Sequence, residues 1–369
     1  MKIIHKVYSK IRNKLKNIGP LKIIWTYIRK INYGYKIYAK LVIKYGLDTH
    51  IYVEHYPGTG DVYITCALLQ KYHREHHGET KYILTVIGGG SVKIAKLLGV
   101  KEVVLLSQKE SDAMISYSRF VRKLPNFKIL HYSPIEVHTR ILDNLASYND
   151  LDFMKMYLSV VFDNMIWEDA VQFPEFENDD IIDEYFDEKG LKKGKTVVLF
   201  PNANTIEDLP WHCWEHFARR VRELGFTVCT NVEPDGDIIS GTCDVFVPYP
   251  HLKSFVEKAG YMVSLRSGVC DIIADSECYK FILYPTPNVY KFGIGTIYDY
   301  FSLKKMGIGK KVYEYEFERV YANEAFETIF NDLCSCLKIK EEFYKSDKRQ
   351  YGNKIYQFGN NNIVSREKF

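Results

Sequence analysis

The chain has 369 residues, of which 46% are hydrophobic and 26% are charged. This composition is typical of folded globular proteins and excludes disordered and fibrous classes. The length is sufficient for two domains of ordinary size, each with its own core. The formal net charge is +4, but it is distributed unevenly along the chain.

Residues 1–47 are predicted to form a basic amphipathic helical arm. They contain twelve Lys or Arg and no Asp or Glu, so the remaining residues carry a net charge of −8. Apolar residues recur at helical spacing on both sides of Gly19-Pro20, and no apolar run approaches the ~20 residues that span a bilayer. We expect residues 1–46 to lie on an anionic membrane surface. Packing of this arm on the protein's own body is the alternative, and no nucleic-acid-binding module follows it.

Residues 48–175 alternate between strand and helix patterns. The predicted strands are 51–53, 81–87, 102–106 and 127–131, and the predicted helices include 61–72 and 139–166. Strands that alternate with helices indicate a parallel sheet. This segment is therefore predicted to be a Rossmann-like domain.

The pattern restarts after residues 174–195, an acidic and then Gly- and Lys-rich segment that is predicted to hold the linker and the first helix of the second half. The predicted strands are 196–200, 226–231, 244–247, 261–265 and 279–284, and the helices are 211–224, 251–259 and 269–276. Residues 176–335 are predicted to form a second Rossmann-like domain, and 336–369 a polar tail. The predicted fold class is α/β, with two such domains facing a central cleft and ligands beyond the carboxyl ends of the strands.

The turn after the first strand, Gly58-Thr59-Gly60-Asp61, carries the first candidate site. The two glycines allow a sharp bend and close approach to an acceptor. Asp61 begins a helix on the expected cleft side, where a carboxylate can act as general base. The alternative is a helix-terminal charge that offsets the macrodipole.

Two loops of the second domain are candidates for donor binding. Arg266, Ser267, Gly268 and Asp271 combine a guanidinium, a hydroxyl and helix-terminal N–H groups, a set suited to a diphosphate. The alternative is that Ser267 caps the helix and Arg266 pairs with an acid. Asn202, Asn204 and Thr205 follow a buried strand and offer donors to phosphate or sugar oxygens.

No metal site and no cofactor are predicted. His73, His76 and His77 lack partner acids, and the cysteines form no C-x-x-C pair. Neither a full G-x-G-x-x-G fingerprint nor a Walker A motif is present. Cysteines in apolar runs and no signal peptide ahead of them favour a reducing cytoplasm.

Three ordered segments resemble the GT-B glycosyltransferases, most closely glycosyltransferase family 9, the ADP-heptose lipopolysaccharide heptosyltransferases. They are GTGDVYITCALLQKY (58–72), VVLFPNANTIEDLPWHCWEHFARRVRELGFTVCTN (197–231) and HLKSFVEKAGYMVSLRSGVCDIIADSECYKFILYP (251–285). The resemblance implies a nucleotide-sugar donor, a glycan or lipid-linked acceptor, metal-independent inverting transfer and Asp61 as the base. It places the protein in surface polysaccharide or lipopolysaccharide synthesis, at the inner face of the cell membrane.

The sequence departs from that family in the donor loop. Arg266 and Asp271 stand where the family has Asp and His, and the phosphate-binding Lys expected before the tryptophan helix is absent from NTIEDLPW. The Arg-Ser-Gly loop is also similar to that of GDP-fucose-dependent GT-B fucosyltransferases. The donor sugar is therefore left open. The alternatives are a sugar-nucleotide epimerase, a phosphoglycosyl-type transferase and a non-catalytic scaffold in polysaccharide assembly.

Overall fold

The computed structural model describes residues 19–56, 58–121, 124, 126–130, 152–165, 180–204, 206–286 and 296–336. The described chain forms two compact units. The first holds 19–130 and 156–165, and the second holds 152–155 and 180–336. Residues 174–179 of the proposed linker, and all of the proposed tail after Cys336, lie outside the described residues.

The first unit is built on a four-stranded parallel sheet. Its strands are β1 His50–Val53, β2 Tyr82–Ile87, β3 Val103–Leu106 and β4 Phe127–Ile129, in the order β3-β2-β1-β4. Its helices are α1 Gly19–Tyr45, α2 Thr59–His77, α3 Gly89–Leu97 and α4 Gln108–Val121. Every residue of β1 is buried, because parallel strands are covered on both faces. The chain runs from β1 outward to β3 and then crosses to β4, so the strand order reverses between β1 and β4.

Helix α1 packs on this sheet rather than standing apart from it. Ile37 and Leu41 belong to the same core cluster as Ile51 and Val53 of β1. At Gly34 the helix approaches α4 so closely that a Cβ would lie 2.0 Å from the backbone oxygen of Ala113. The arm is thus an integral part of the first unit from Gly34 onward, as the alternative interpretation held. Its predicted first helix, before Gly19, lies outside the described residues.

The second unit contains a six-stranded parallel sheet. Its strands are β5 Thr196–Phe200, β6 Thr227–Asn231, β7 Cys243–Val245, β8 Gly260–Leu265, β9 Tyr279–Thr286 and β10 Val312–Glu318. The order β10-β9-β8-β5-β6-β7 places the reversal of strand order between β5 and β8. The helices that complete the described chain are α5 Phe153–Val160, α6 Asp180–Glu188, α7 Trp211–Glu223, α8 Tyr249–Ala259, α9 Gly268–Ile272, α10 Ile297–Phe301 and α11 Ala322–Cys336.

The predicted α/β class with two Rossmann-like parallel sheets is confirmed, while the cleft between the domains stays a prediction. Four of these elements were not predicted: α4, α10, β10 and α11. Helix α4 buries Ser111, Ala113 and Ser116 among few large apolar residues, which weakens its periodicity. None of the helices in the described part of the chain is long and apolar enough to cross a membrane.

Candidate active site

The turn between β1 and α2 lies beside the switch point of the first sheet. In open parallel sheets, ligands bind outside the carboxyl ends of the strands where the strand order reverses. Asp61 is the third residue of α2 and is half-buried. A Cβ on Gly58 would stand 2.4 Å from Oδ2 of Asp61, so the missing side chain of Gly58 makes room for this carboxylate.

A second glycine-rich turn adjoins this one. Gly88, Gly89 and Gly90 connect β2 to α3, and a Cβ on Gly90 would meet the Thr59 methyl at 3.1 Å. Gly60, which follows Thr59, is buried. The turns after two neighbouring strands therefore meet at the carboxyl edge of the sheet.

The position of Asp61 is compatible with both interpretations made from the sequence. An acid in the first turn of a helix is favoured by the helix dipole, and Gly58 supplies no side-chain cap to α2. The same position presents a carboxylate at the sheet edge where substrates bind. The role of Asp61 as a base therefore stays a prediction.

Behind Asp61 lies a buried carboxyl group, that of Glu54, which directly follows β1. Its Oε1 accepts a hydrogen bond from the backbone N–H of Tyr56 at 2.8 Å. Its Oε2 lies 2.6 Å from the hydroxyl of Thr65 and 3.0 Å from that of Tyr157. In the described part of the chain, no Lys, Arg or His forms an ion pair with Glu54.

Burial raises the pKa of Glu54 to about 8. Hydrogen bonds from Thr65, Tyr56 and Tyr157 act in the opposite direction, and the nearby charge of Asp61 adds to the rise. Full desolvation disfavours the charged form of a carboxyl group when no cation compensates it. Burial therefore favours the neutral form of Glu54, near the candidate base.

The second sheet brings two of the predicted donor-binding segments together. Asn202 and Asn204 follow β5 and are exposed, and Ser267 and Gly268 follow β8. Because β5 and β8 are neighbouring parallel strands, the two segments emerge at the same edge and flank the switch point. The side chain of Ser267 makes no cap hydrogen bond to α9. Thr205 lies outside the described residues.

Arg266 and Asp271 pair with each other, which is the arrangement that the alternative interpretation gave for Arg266. Arg266 is only 6% exposed, and its Nη1 and Nη2 donate to the two carboxylate oxygens of Asp271 at 2.8 and 2.6 Å. Its Nε donates to the carbonyl of Phe301 and its Nη1 also donates to that of Ser267. All three guanidinium nitrogens are thus engaged internally. Arg266 and Asp271 shape the turn, and Arg266 is not a free cation for a diphosphate.

The histidines near the amino end of β1 form a packed cluster. His73 lies between the Tyr52 hydroxyl at 2.9 Å and the carbonyl of Thr80 at 2.8 Å. The rings of His50 and His77 have centroids 3.8 Å apart. No group of three or more His, Cys, Asp or Glu in the described ranges is arranged to hold a metal ion.

Comparison with known proteins places solved glycosyltransferase structures among those similar to this chain. No protein-family profile and no curated protein matches it. A glycosyl transferase family 9 structure from Veillonella parvula is 13% identical, with a TM-score of 0.47 over 78% of this chain and 98% of that one. Escherichia coli ADP-heptose lipopolysaccharide heptosyltransferase II is 10% identical, with a TM-score of 0.46 over 77% and 99% of the two chains.

A third structure, E. coli heptosyltransferase WaaC with ADP, is 12% identical, with a TM-score of 0.41 over 78% of this chain and 99% of that one. These structures belong to the family that the three sequence segments resemble. At such identity the similarity concerns the fold alone, and the chemistry has to come from the residues of this chain.

Sequence reasoning missed Glu54 and Tyr157. An acid directly after a buried apolar strand is the signal that marks Glu54, since an uncompensated carboxyl group there is costly. Nothing local marks Tyr157, which is 103 residues further along the chain and reaches Glu54 only in the folded unit.

Proposed function

We propose that the protein is a glycosyltransferase that moves a sugar from a nucleotide-sugar donor to a hydroxyl of a glycan or lipid-linked glycan. The observation that carries this proposal is the half-buried carboxylate of Asp61 at the switch point of the first sheet, in the space left by Gly58. The resemblance of three ordered segments to glycosyltransferase family 9 supports it. The expected role is a step in surface polysaccharide or lipopolysaccharide synthesis.

The proposed reaction is a single displacement that inverts the anomeric carbon. Asp61 takes the proton of the acceptor hydroxyl, and the oxygen of that hydroxyl forms a bond to the anomeric carbon. The bond between the carbon and the diphosphate oxygen breaks, and the nucleoside diphosphate departs with the electron pair. The products are the glycoside, the nucleoside diphosphate and one proton. No metal is required, which we propose from the resemblance.

On the donor side, the proposal assigns binding to the groups that flank the second switch point. The exposed amides of Asn202 and Asn204 and the hydroxyl of Ser267 are donors for phosphate or sugar oxygens. Thr205 and the backbone of Gly268 complete the set. Arg266 and Asp271 contribute by fixing the loop between β8 and α9, because a rigid loop keeps such donors in place as the leaving group gains charge.

We further propose that the enzyme attaches peripherally to the inner face of the cell membrane through α1 and the residues before it. Ile23, Ile24, Tyr27 and Ile28 are exposed on one face of α1. Arg29, Lys36, Lys40 and Lys44 are exposed and recur at intervals of seven and four residues, on another face of the helix. Apolar anchoring together with twelve cations and no acid in residues 1–47 fits an anionic lipid surface.

The experiment starts from a thermal-shift screen of ADP-, GDP-, UDP- and CMP-sugars, because a ligand stabilises the folded state in proportion to its occupancy. Transfer is then measured with the stabilising donor for wild type, Asp61→Asn and Asp48→Asn. Asp48 is exposed and precedes β1, at the opposite end of the same strand. Asp61→Asn is expected to lower kcat by about 100-fold or more while donor binding is retained.

Equal turnover of the two variants would reject Asp61 as the base. A donor response limited to GDP-sugars would identify a fucosyltransferase-type enzyme. Absence of any donor response and of any transfer would identify a non-catalytic scaffold. A sugar nucleotide converted without an acceptor would identify an epimerase.

A further inference from the structure

The contacts around Glu54 contain more oxygen pairs than the hydroxyl protons present can serve. The Thr65 and Tyr157 hydroxyl oxygens lie 2.5 Å apart, and both lie near Oε2 of Glu54, at 2.6 and 3.0 Å. The Tyr157 oxygen is also 2.7 Å from the carbonyl oxygen of Leu130. Each hydroxyl brings one proton and the carbonyl brings none. Two protons therefore face four short oxygen pairs.

A proton on Glu54 resolves most of this shortage. Glu54 then donates to Thr65, Thr65 donates to Tyr157, and Tyr157 donates to Leu130, so that the shortest three pairs each contain a proton. Without it, only two protons serve these three pairs, so one pair always lacks a proton. When Tyr157 donates to Thr65 and Thr65 donates to the carboxylate, for example, the oxygens of Tyr157 and Leu130 face each other at 2.7 Å without one. Two oxygens 2.5–2.7 Å apart without a proton between them repel, so the geometry favours the neutral acid.

The network also holds the parts that place Asp61. Glu54 fixes the start of the loop through the N–H of Tyr56, and it binds Thr65, which lies one turn after Asp61 on α2. Tyr157 ties the same group to the end of β4 through Leu130. The network thus spans the two strands on either side of the first switch point.

We propose that Glu54 is a positioning residue that is kept as a neutral carboxylic acid, so that the site carries one negative charge and this charge stays on Asp61. The inference rests on the proposed role of Asp61 as the base. Two carboxyl groups in one site do not both ionise readily, and environment decides which one keeps the proton. Among the described residues Glu54 is fully buried with no cation paired to it, whereas Asp61 is half-exposed in the first turn of α2, where the helix dipole favours a negative charge.

Ionisation of Glu54 is expected to disturb the site. In the described part of the chain, the titratable groups that interact electrostatically with it are Asp61 and Cys66 from α2 and Tyr157 from α5. An ionised Glu54 draws the protons of Thr65 and Tyr157 toward itself and repels the carboxylate of Asp61. Activity is therefore expected to fall as the pH rises through about 8.

The first test is an infrared pH titration that needs no substrate. Wild type minus Glu54→Gln is expected to show the carbonyl band of a protonated acid at pH 7, which is lost as the pH rises through about 8. Asp61→Asn removes a neighbouring negative charge and should lower the titration point, whereas Tyr157→Phe removes a hydrogen bond to the ionised form and should raise it. No protonated-acid band at pH 7, or an unchanged titration point in Asp61→Asn, would overturn the proposal.

The second test follows transfer against pH. Wild type should lose kcat/KM above about pH 8, and Glu54→Gln, which cannot ionise, should lack this decline. Glu54→Leu should lose about tenfold or more in kcat with little change in donor KM, and Glu54→Gln should recover most of that loss. A decline that persists in Glu54→Gln contradicts the positioning role. If the protein transfers no sugar, the infrared titration still decides the state of Glu54, so the two proposals fail separately.

Discussion

Arg266 and Asp271 form a two-pronged ion pair in the interior of the second unit, with both carboxylate oxygens bound by the guanidinium. The residues are five apart in sequence and close the turn between β8 and α9. Burial alone works to lower the pKa of Arg266, but the carboxylate of Asp271 raises it, so the guanidinium stays charged. This ion pair therefore fixes the shape of the turn between β8 and α9, the predicted donor loop.

Removing one partner of this pair should be costly. Arg266→Ala is expected to reduce the free energy of unfolding by about 3–5 kcal/mol, because it leaves the Asp271 carboxylate buried without a counter-charge. Chemical denaturation followed by fluorescence measures the loss. Arg266→Lys should recover little, since an ammonium cannot make the two parallel hydrogen bonds of a guanidinium.

The matched control is the double variant Arg266→Met with Asp271→Leu. It removes both charges and keeps apolar volume, so it should be more stable than Arg266→Ala. Equal stability of the double variant and Arg266→Ala would show that the hydrogen bonds to the carbonyls of Phe301 and Ser267, which both variants lack, dominate the cost.

The close crossing of α1 and α4 gives a second prediction. A Cβ at Gly34 would lie 2.0 Å from the Ala113 oxygen and 2.6 Å from its carbonyl carbon, both backbone atoms. Gly34→Ala is therefore expected to push the helices apart and to lower the free energy of unfolding by roughly 1–3 kcal/mol. Thermal and denaturant unfolding both report this change.

Gly89→Ala is the control for this substitution. A Cβ at Gly89 meets no atom within 4 Å, and Gly89 also lies in a helix. Its effect should stay below about 1 kcal/mol, the difference in helix propensity between glycine and alanine. Equal losses in the two variants would mean that α1 adjusts to the added methyl without strain.

The arm shows why the sequence predicted the fold better than the site. Strand and helix periodicity specified most elements of both sheets, since each depends on the next few residues. The apolar face of α1 was also predicted, but the same apolar spacing occurs in a helix that lies on lipid and in a helix that packs on the protein's own sheet. Ile37 and Leu41 turned out to be covered by the sheet, while Ile24 and Ile28 stay exposed.

Site chemistry depends on contacts that no local pattern records. Asp61 was found because a glycine turn after a strand marks a sheet edge. Arg266 lies in the predicted turn, but its burial and its pairing with Asp271 follow from tertiary packing, which the sequence does not record. The hydrogen-bond partner Tyr157 lies 103 positions from Glu54, so no local sequence pattern shows that the two residues meet.

The histidine cluster at the amino end of β1 predicts acid sensitivity. Burial, with the nearby His77 and His73, lowers the pKa of His50 to about 4, and burial lowers the pKa values of His73 and His77 as well. Below pH 6.5 these histidines bind protons in the unfolded chain but stay neutral in the folded chain. The free energy of unfolding is therefore fully retained above pH 6.5 and falls as the pH drops toward 4. Urea unfolding from pH 7.5 to pH 4.5 measures the slope.

His50→Gln removes the group with the lowest pKa in this cluster and the like-charge contact with His77. The slope of unfolding free energy against pH should become shallower in this variant. An unchanged slope would place the acid sensitivity elsewhere in the chain.

Membrane attachment can be tested without disturbing the core. Deleting residues 1–46 would remove Ile37 and Leu41 from the core of the first unit, so the informative variants lie before Gly34. Ile24→Ser with Ile28→Ser changes side chains that are 54% and 50% exposed, and should weaken binding to vesicles of mixed anionic and neutral lipid by about tenfold. Val320→Ser, at a residue 78% exposed in the second unit, is the control.

Binding should also weaken as the salt concentration rises, because salt screens the attraction between lipid phosphates and the cations of residues 1–47. Equal sedimentation of both variants with vesicles in low salt would reject α1 as the membrane-binding element.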